Sequence, residues 1–239
     1  MLAAVAFCPQ PPLLVELLAP GAARELDDLR RACRAAVGRL AAARPDRIVV
    51  LGGGPVTAAY PPGAAGTLEG FGYPLVASFG GDGRPPWTLP PGLTLGAYLL
   101  TSGRVLGSSA PAPVPTVSGQ TVAPDADVAA VGTALDDDGG RLGLLVMGDG
   151  SARRGENAPG YVDERAAPFD AAVAAALASG DAAALRDLDP ALGADLLAAG
   201  VPAWRTAGHV VGERPVAGEL LHDSAPYGVG YLVATWAPA

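Results

Sequence analysis

Two short apolar runs, residues 2–7 and 47–51, flank a stretch with helical spacing, and this strand–helix–strand unit restricts the fold more than any other feature of the chain. Its helical part spans 22–43, where Leu26, Leu29, Cys33, Val37 and Leu40 recur at three- to four-residue intervals and form one apolar face. A unit of this order favours parallel strands, which are covered on both faces and gather ligands past their carboxyl ends. The Pro-rich turn at 8–12 and the glycine-rich turn at 52–55 are therefore expected side by side at one edge of a sheet.

The pattern continues downstream. Residues 53–91 are dense in Gly and Pro around one strand-like run, 74–79, and read as long loops. A short helix is predicted at 93–100, a strand at 116–122, a helix at 128–135 and a solvated acidic turn at 136–140. Residues 142–147 are continuously apolar, as in a central strand, and deliver 148–154 to the same edge. Helical periodicity returns at 163–178, through Ala167, Phe169, Val173 and Ala176, and two further helical stretches follow at 182–188 and 191–199. Strands at 216–222 and 228–236 close the chain as a hairpin-like pair. With no internal repeat, residues 1–239 are expected to form a single α/β domain, three-layered α/β/α, with a mixed, mainly parallel central sheet.

Composition removes several chemistries. All 16 basic residues are arginine, which excludes imine formation, a Walker-type phosphate lysine and a Ser-Lys pair. Only His209 and His222, and Cys8 and Cys33, are present, so zinc fingers, multi-histidine clusters and disulfide scaffolds are excluded. A net charge of −8 with no basic run beyond Arg30-Arg31 and Arg153-Arg154 argues against nucleic acid as a partner. No apolar run approaches the ~18 residues of a membrane helix, and the opening residues lack a basic leader, so no membrane partner and a cytoplasmic location are expected. A G-x-S-x-G elbow is absent, and Asp136-Asp137-Asp138 lacks the spacing of a calcium loop.

Four segments stand out by their order and surroundings: 7–14 (FCPQPPLL), 49–55 (VVLGGGP), 148–153 with 158–161 (GDGSAR and APGY), and 224–231 (SAPYGVGY). Together they resemble the class III extradiol ring-cleavage dioxygenases of the LigB-like superfamily. The resemblance implies two iron-binding histidines in the first and second segments, a catalytic histidine in the third and a carboxylate ligand just before the fourth. The matching positions here hold Gln10, Gly54 or Gly53, Ala152 and Ser224, and no histidine precedes residue 209. Two imidazoles and a carboxylate hold Fe(II) on one face and leave sites for a catecholate and dioxygen; glutamine, glycine and serine do not supply that field. The expectation is a homologue without a metal site or cofactor. It binds a small polar or aromatic molecule, or serves a protein partner or its own oligomer. The alternative is an enzyme with a rebuilt site that uses Asp149, Arg153, His222 or Asp223.

Each candidate carries two readings. Gln10 can bond a ligand or cap a turn, and Gly52-Gly53-Gly54 can cradle an anion or simply turn. Asp149, Ser151 and Arg153 or Arg154 can bind a ligand at a strand end, or cap and pair locally with Glu156, Asp163 or Glu164. His222 and Asp223 adjoin Ser224 and could join Asp149 and Tyr227, although strand neighbours face opposite ways. Cys8 reads as a thiolate nucleophile or a small buried apolar residue, and His209 as a structural or surface histidine.

Overall fold

The computed structural model describes residues 1–18, 24–83, 85–102 and 114–239. Nine strands are assigned there: β1 (Leu2–Cys8), β2 (Arg47–Gly53), β3 (Ala58–Tyr60), β4 (Ala65–Thr67), β5 (Val76–Ser78), β6 (Thr116–Val122), β7 (Leu142–Met147), β8 (Val216–Ser224) and β9 (Tyr231–Pro238). The α-helices are α1 (Asp27–Ala42), α2 (Pro91–Ser102), α3 (Val128–Asp137), α4 (Ala166–Ser179), α5 (Ala182–Arg186), α6 (Pro190–Asp195) and α7 (Val201–Val211).

Seven strands form one sheet in the order β3-β6-β2-β7-β1-β9-β8. The central four, β6, β2, β7 and β1, are parallel, while β3, β9 and the β8–β9 hairpin pair antiparallel. The fold is thus α/β with a mixed, mainly parallel central sheet. β1 and β2 run parallel as the opening unit predicts, but β7 lies between them and pairs with both, so their turns are not adjacent. The reason is apolarity: all six residues of β7 are buried, and the centre of the sheet is the place covered on both faces.

Alternation along the strands sorts the core into two clusters. Val5, Phe7, Val49, Leu51, Leu144, Val146 and Trp236 face a layer made of α3, α4, α5 and α7. Ala4, Ala6, Cys8, Ile48, Val50, Leu145 and Met147 face α1 and α2. These two faces make the three-layer α/β/α arrangement. Trp236 anchors the first cluster, its ring edge-on to Phe7 at 4.9 Å and its indole N–H donating to the Leu177 carbonyl at 2.7 Å.

Local signals account for four of the helix ends. Asp127, Asp181 and Asp189 each precede a helix and accept a backbone N–H from its first turn. Gly180 ends α4 in the left-handed conformation, φ 74°. The expected helix at 22–43 is seen from Asp27, its first two residues lying outside the described residues. The long loops of 53–91 also carry β3, β4 and β5, and Asp136, expected in a solvated turn, ends α3 in a two-pronged ion pair with Arg214. Helix α7 occupies 201–211, a segment where no element was expected.

Among the described residues, no helix is long and apolar enough to cross a membrane.

Candidate functional site

The carboxyl ends of β6, β2, β7, β1 and β8 and the start of β9 lie along one edge of the sheet. Three close approaches shape that edge. A methyl group on Gly148 would come 2.4 Å from the Cα of Gly200, so the end of β7 and the entry to α7 touch backbone to backbone. A methyl group on Gly53 would come 2.7 Å from the Ala199 carbonyl oxygen. Gly200 N–H donates to the Asp149 carbonyl at 2.9 Å and completes this contact.

Beyond β7 the chain laces into the residues before β9. Gly150 N–H donates to the Gly230 carbonyl, Gly230 N–H to Ser151, and Arg154 N–H to Gly228, at 2.7, 2.9 and 3.0 Å. Beneath this lacing sits Asp170 of α4, which no sequence motif singled out. It accepts the Ser151 N–H at 2.8 Å and the Ser151 hydroxyl at 2.7 Å, with an Arg154 nitrogen at 3.7 Å. Asp170 and Ser151 are both buried. Burial raises the Asp170 pKa, against the Ser151 hydrogen bonds and the Arg154 charge. Only a side chain pointing inward from a helical position toward two glycine turns marks this residue in sequence, and many helical Asp residues share that description.

Asp149 lies at the mouth of the edge and keeps part of its surface exposed. Its Oδ1 accepts the Gln10 N–H at 2.7 Å. Burial pushes its pKa up to about 7, against the lowering effect of that hydrogen bond. Tyr231 is close enough for the Asp149 charge to add to the burial that raises its own pKa. The Gln10 side chain turns toward α2, where Oε1 is buried without a hydrogen-bond partner among the described residues and a methyl group on Gly92 would come 2.3 Å from it.

The other predicted residues fall into separate groups. His222 Nε2 and Ser224 Oγ are 2.7 Å apart, on the opposite face of β8 from Asp223, which lies 4.0 Å from Arg154. The alternation expected for these neighbours is what the strand provides. Burial lowers the His222 pKa, against the nearby Asp28 and Asp223 carboxylates. Asp149 follows β7 and His222 lies in β8, strands three steps apart in the sheet, about 14 Å at the usual spacing between strands. Tyr227 hydroxyl donates to Glu25 at 2.8 Å. Arg153 has a buried Nε without a partner among the described residues, and one of its terminal nitrogens contacts the Tyr161 carbonyl at 3.5 Å. Ala152 is buried, with its N–H on the Leu196 carbonyl.

The four positions that the resemblance sets at an iron site, Gln10, Gly54 or Gly53, Ala152 and Ser224, do not fit Fe(II). Gln10 Oε1 faces Gly92, Gly53 and Gly54 have no side chains, Ala152 offers a buried methyl, and Ser224 Oγ is engaged by His222. No group of three or more His, Cys, Asp or Glu side chains among the described residues is placed to hold a metal ion. Cys8 is buried against Cys33, whose hydrogen bond, with burial, pushes the Cys8 thiol well up, away from the thiolate. Burial lowers the His209 pKa, and the Arg186 and Arg205 charges add to it.

Gly53 and Gly54 border a cavity of about 390 Å³ that the sequence did not announce. Its other walls come from α6, the 197–199 turn and the first turns of α7; the remaining predicted site residues do not line it.

No family model matches the chain, and no curated protein matches it. Among solved structures, an uncharacterized protein from Escherichia coli K12 is similar at 15% identity and a TM-score of 0.44, with 98% of this chain and 99% of that one covered.

Proposed function

We propose that this chain is a non-catalytic homologue of the class III extradiol dioxygenases that binds a small molecule in place of iron and catechol. The cavity of about 390 Å³ beside Gly53 and Gly54 carries this reading, because it opens at the strand ends where open α/β sheets bind ligands. Replacement of the four family positions by Gln10, Gly54, Ala152 and Ser224 supports the non-catalytic part. Anaerobic Fe(II) loading of the purified chain, desalting and elemental mass spectrometry test it. The expected result is iron well below one equivalent per chain and no oxygen-dependent cleavage of catechol. Stoichiometric retained iron together with ring cleavage overturns the reading.

Asp149 favours a second reading, an enzyme with a rebuilt acid–base site. A carboxyl at a strand end whose burial raises its pKa to about 7 is poised to exchange a proton near neutrality. An activity carried by this group falls to background in Asp149→Asn. It survives in His222→Ala, since His222 lies in β8, three strands away from β7. Loss in His222→Ala with retention in Asp149→Asn overturns this assignment.

A further inference from the structure

The cavity is apolar along all but one part of its wall. Glycine, alanine, proline, leucine and valine make up that wall, and Arg205 is the single charged residue among those lining it. Arg205 is half-buried on α7, and its Nε donates to the Arg186 carbonyl at 3.1 Å. That bond fixes the plane of the guanidinium and leaves the two terminal nitrogens without a protein acceptor among the described residues. The neighbouring Arg186 is satisfied: its terminal nitrogens reach the Gly212 carbonyl at 2.8 Å and Glu213 at 2.6 Å.

The start of α7 adds little to this charge: Val201 and Pro202 line the cavity, but the Val201 N–H donates to the Ala198 carbonyl at 3.3 Å and Pro202 has no N–H. A cation with two free donors, set in an otherwise apolar wall, favours a ligand with one negative end and an apolar body. One guanidinium balances one charge; the second charge of a phosphate would be left without a partner in a chain that has no lysine and a net charge of −8. The volume equals that of about a dozen water molecules in the liquid, enough for a small aromatic or aliphatic acid.

We infer that the cavity binds a small apolar monocarboxylate, its body between α6 and α7 and its carboxylate on the terminal nitrogens of Arg205. This inference rests on the small-molecule-binding reading above. It is tested by calorimetry and ligand-observed NMR on the full chain with benzoate, phenylacetate and hexanoate, each paired with its neutral amide. The acids are expected to bind about ten- to a hundredfold more tightly than the amides, as befits a charge-assisted pair in an apolar site. Arg205→Gln is expected to remove that difference without moving the amides. Ala194→Trp, filling the cavity from its exposed rim, is expected to abolish binding of both. Equal binding of acids and amides to the unmodified chain, lost in Ala194→Trp, overturns the carboxylate assignment and leaves the cavity reading standing. Absence of binding by every probe, or binding indifferent to Ala194→Trp, overturns both. So does concentration-dependent dimerisation blocked by Ala194→Trp without probe binding, which assigns the cavity to a second copy of the chain.

Discussion

Asp170→Ala is expected to lower the unfolding free energy by about 3–5 kcal/mol, the cost of removing one partner from a buried charged cluster. The substitution strands the Ser151 N–H and hydroxyl, which reach Asp170 at 2.8 and 2.7 Å in a site closed to water. Among the described residues it also leaves Arg154 with only the more distant carboxylate of Asp223, at 4.0 Å. The carboxylate is held between two turns that admit no larger residue: a methyl group on Gly150 would come 2.7 Å from one of its oxygens, and on Gly230 2.5 Å from the other. Asp170 thus ties α4 to the segments after β7 and before β9, and its loss loosens three parts of the site edge together. Asp170→Asn keeps an acceptor for one donor and is expected to lose less than Asp170→Ala. Urea unfolding of both variants beside the unmodified chain reads the difference. A loss under about 1 kcal/mol for Asp170→Ala would show that the cluster relaxes and that the ties are weak.

Asp149→Asn is expected to change how stability depends on pH. The folded pKa of Asp149, about 7, lies above the ordinary carboxylate value of 3.8, so the folded chain holds this proton more tightly than the unfolded chain. Its contribution is therefore fully present below about pH 4 and is lost as the pH rises to and through about 7. At about 1.4 kcal/mol per pKa unit the loss reaches at most about 4 kcal/mol. Asparagine keeps an acceptor for the Gln10 N–H and never ionises. The variant should match the unmodified chain near pH 4 and exceed it by a few kcal/mol at pH 8. Other groups add their own slopes: Asp170, also raised, in the same direction, and His209 and His222, both lowered, in the opposite one. The difference between the two chains isolates Asp149. Parallel denaturant midpoints at pH 5, 6, 7 and 8 would sink the assignment.

Periodicity carries the parts of this fold that depend on one segment at a time. The bounds expected for β6 and β7 match the observed strands, because a continuous apolar run and an alternating one leave few other solutions. The opposite orientation of His222 and Asp223 follows from the pleat alone. The insertion of β7 between β1 and β2 is a relation among three distant segments, and no local spacing encodes it. Helix α7 did carry a signal, in Val201, Trp204, Ala207 and Val211 at helical intervals behind Pro202, but Gly208 and the paired valines obscured it. The site divides in the same way. Gly53 and Gly54 were legible as a turn at a strand end, whereas their role as cavity wall depends on α6 and α7 folding over them. Arg205 was hidden for that reason, and Asp170 because its partners lie across the layers.

The place of β7 also sets an order of events. When residues 2–53 are complete, β1 and β2 have no strand to share, since each pairs with β7 and neither with the other. The helix between them can form early and dock only loosely. The centre of the sheet waits for residues 142–147, so the transition state must close a long loop before its largest apolar reward is available. A chain built this way is expected to fold slowly for its size, with the edges of β1 and β2 unpaired until β7 is made.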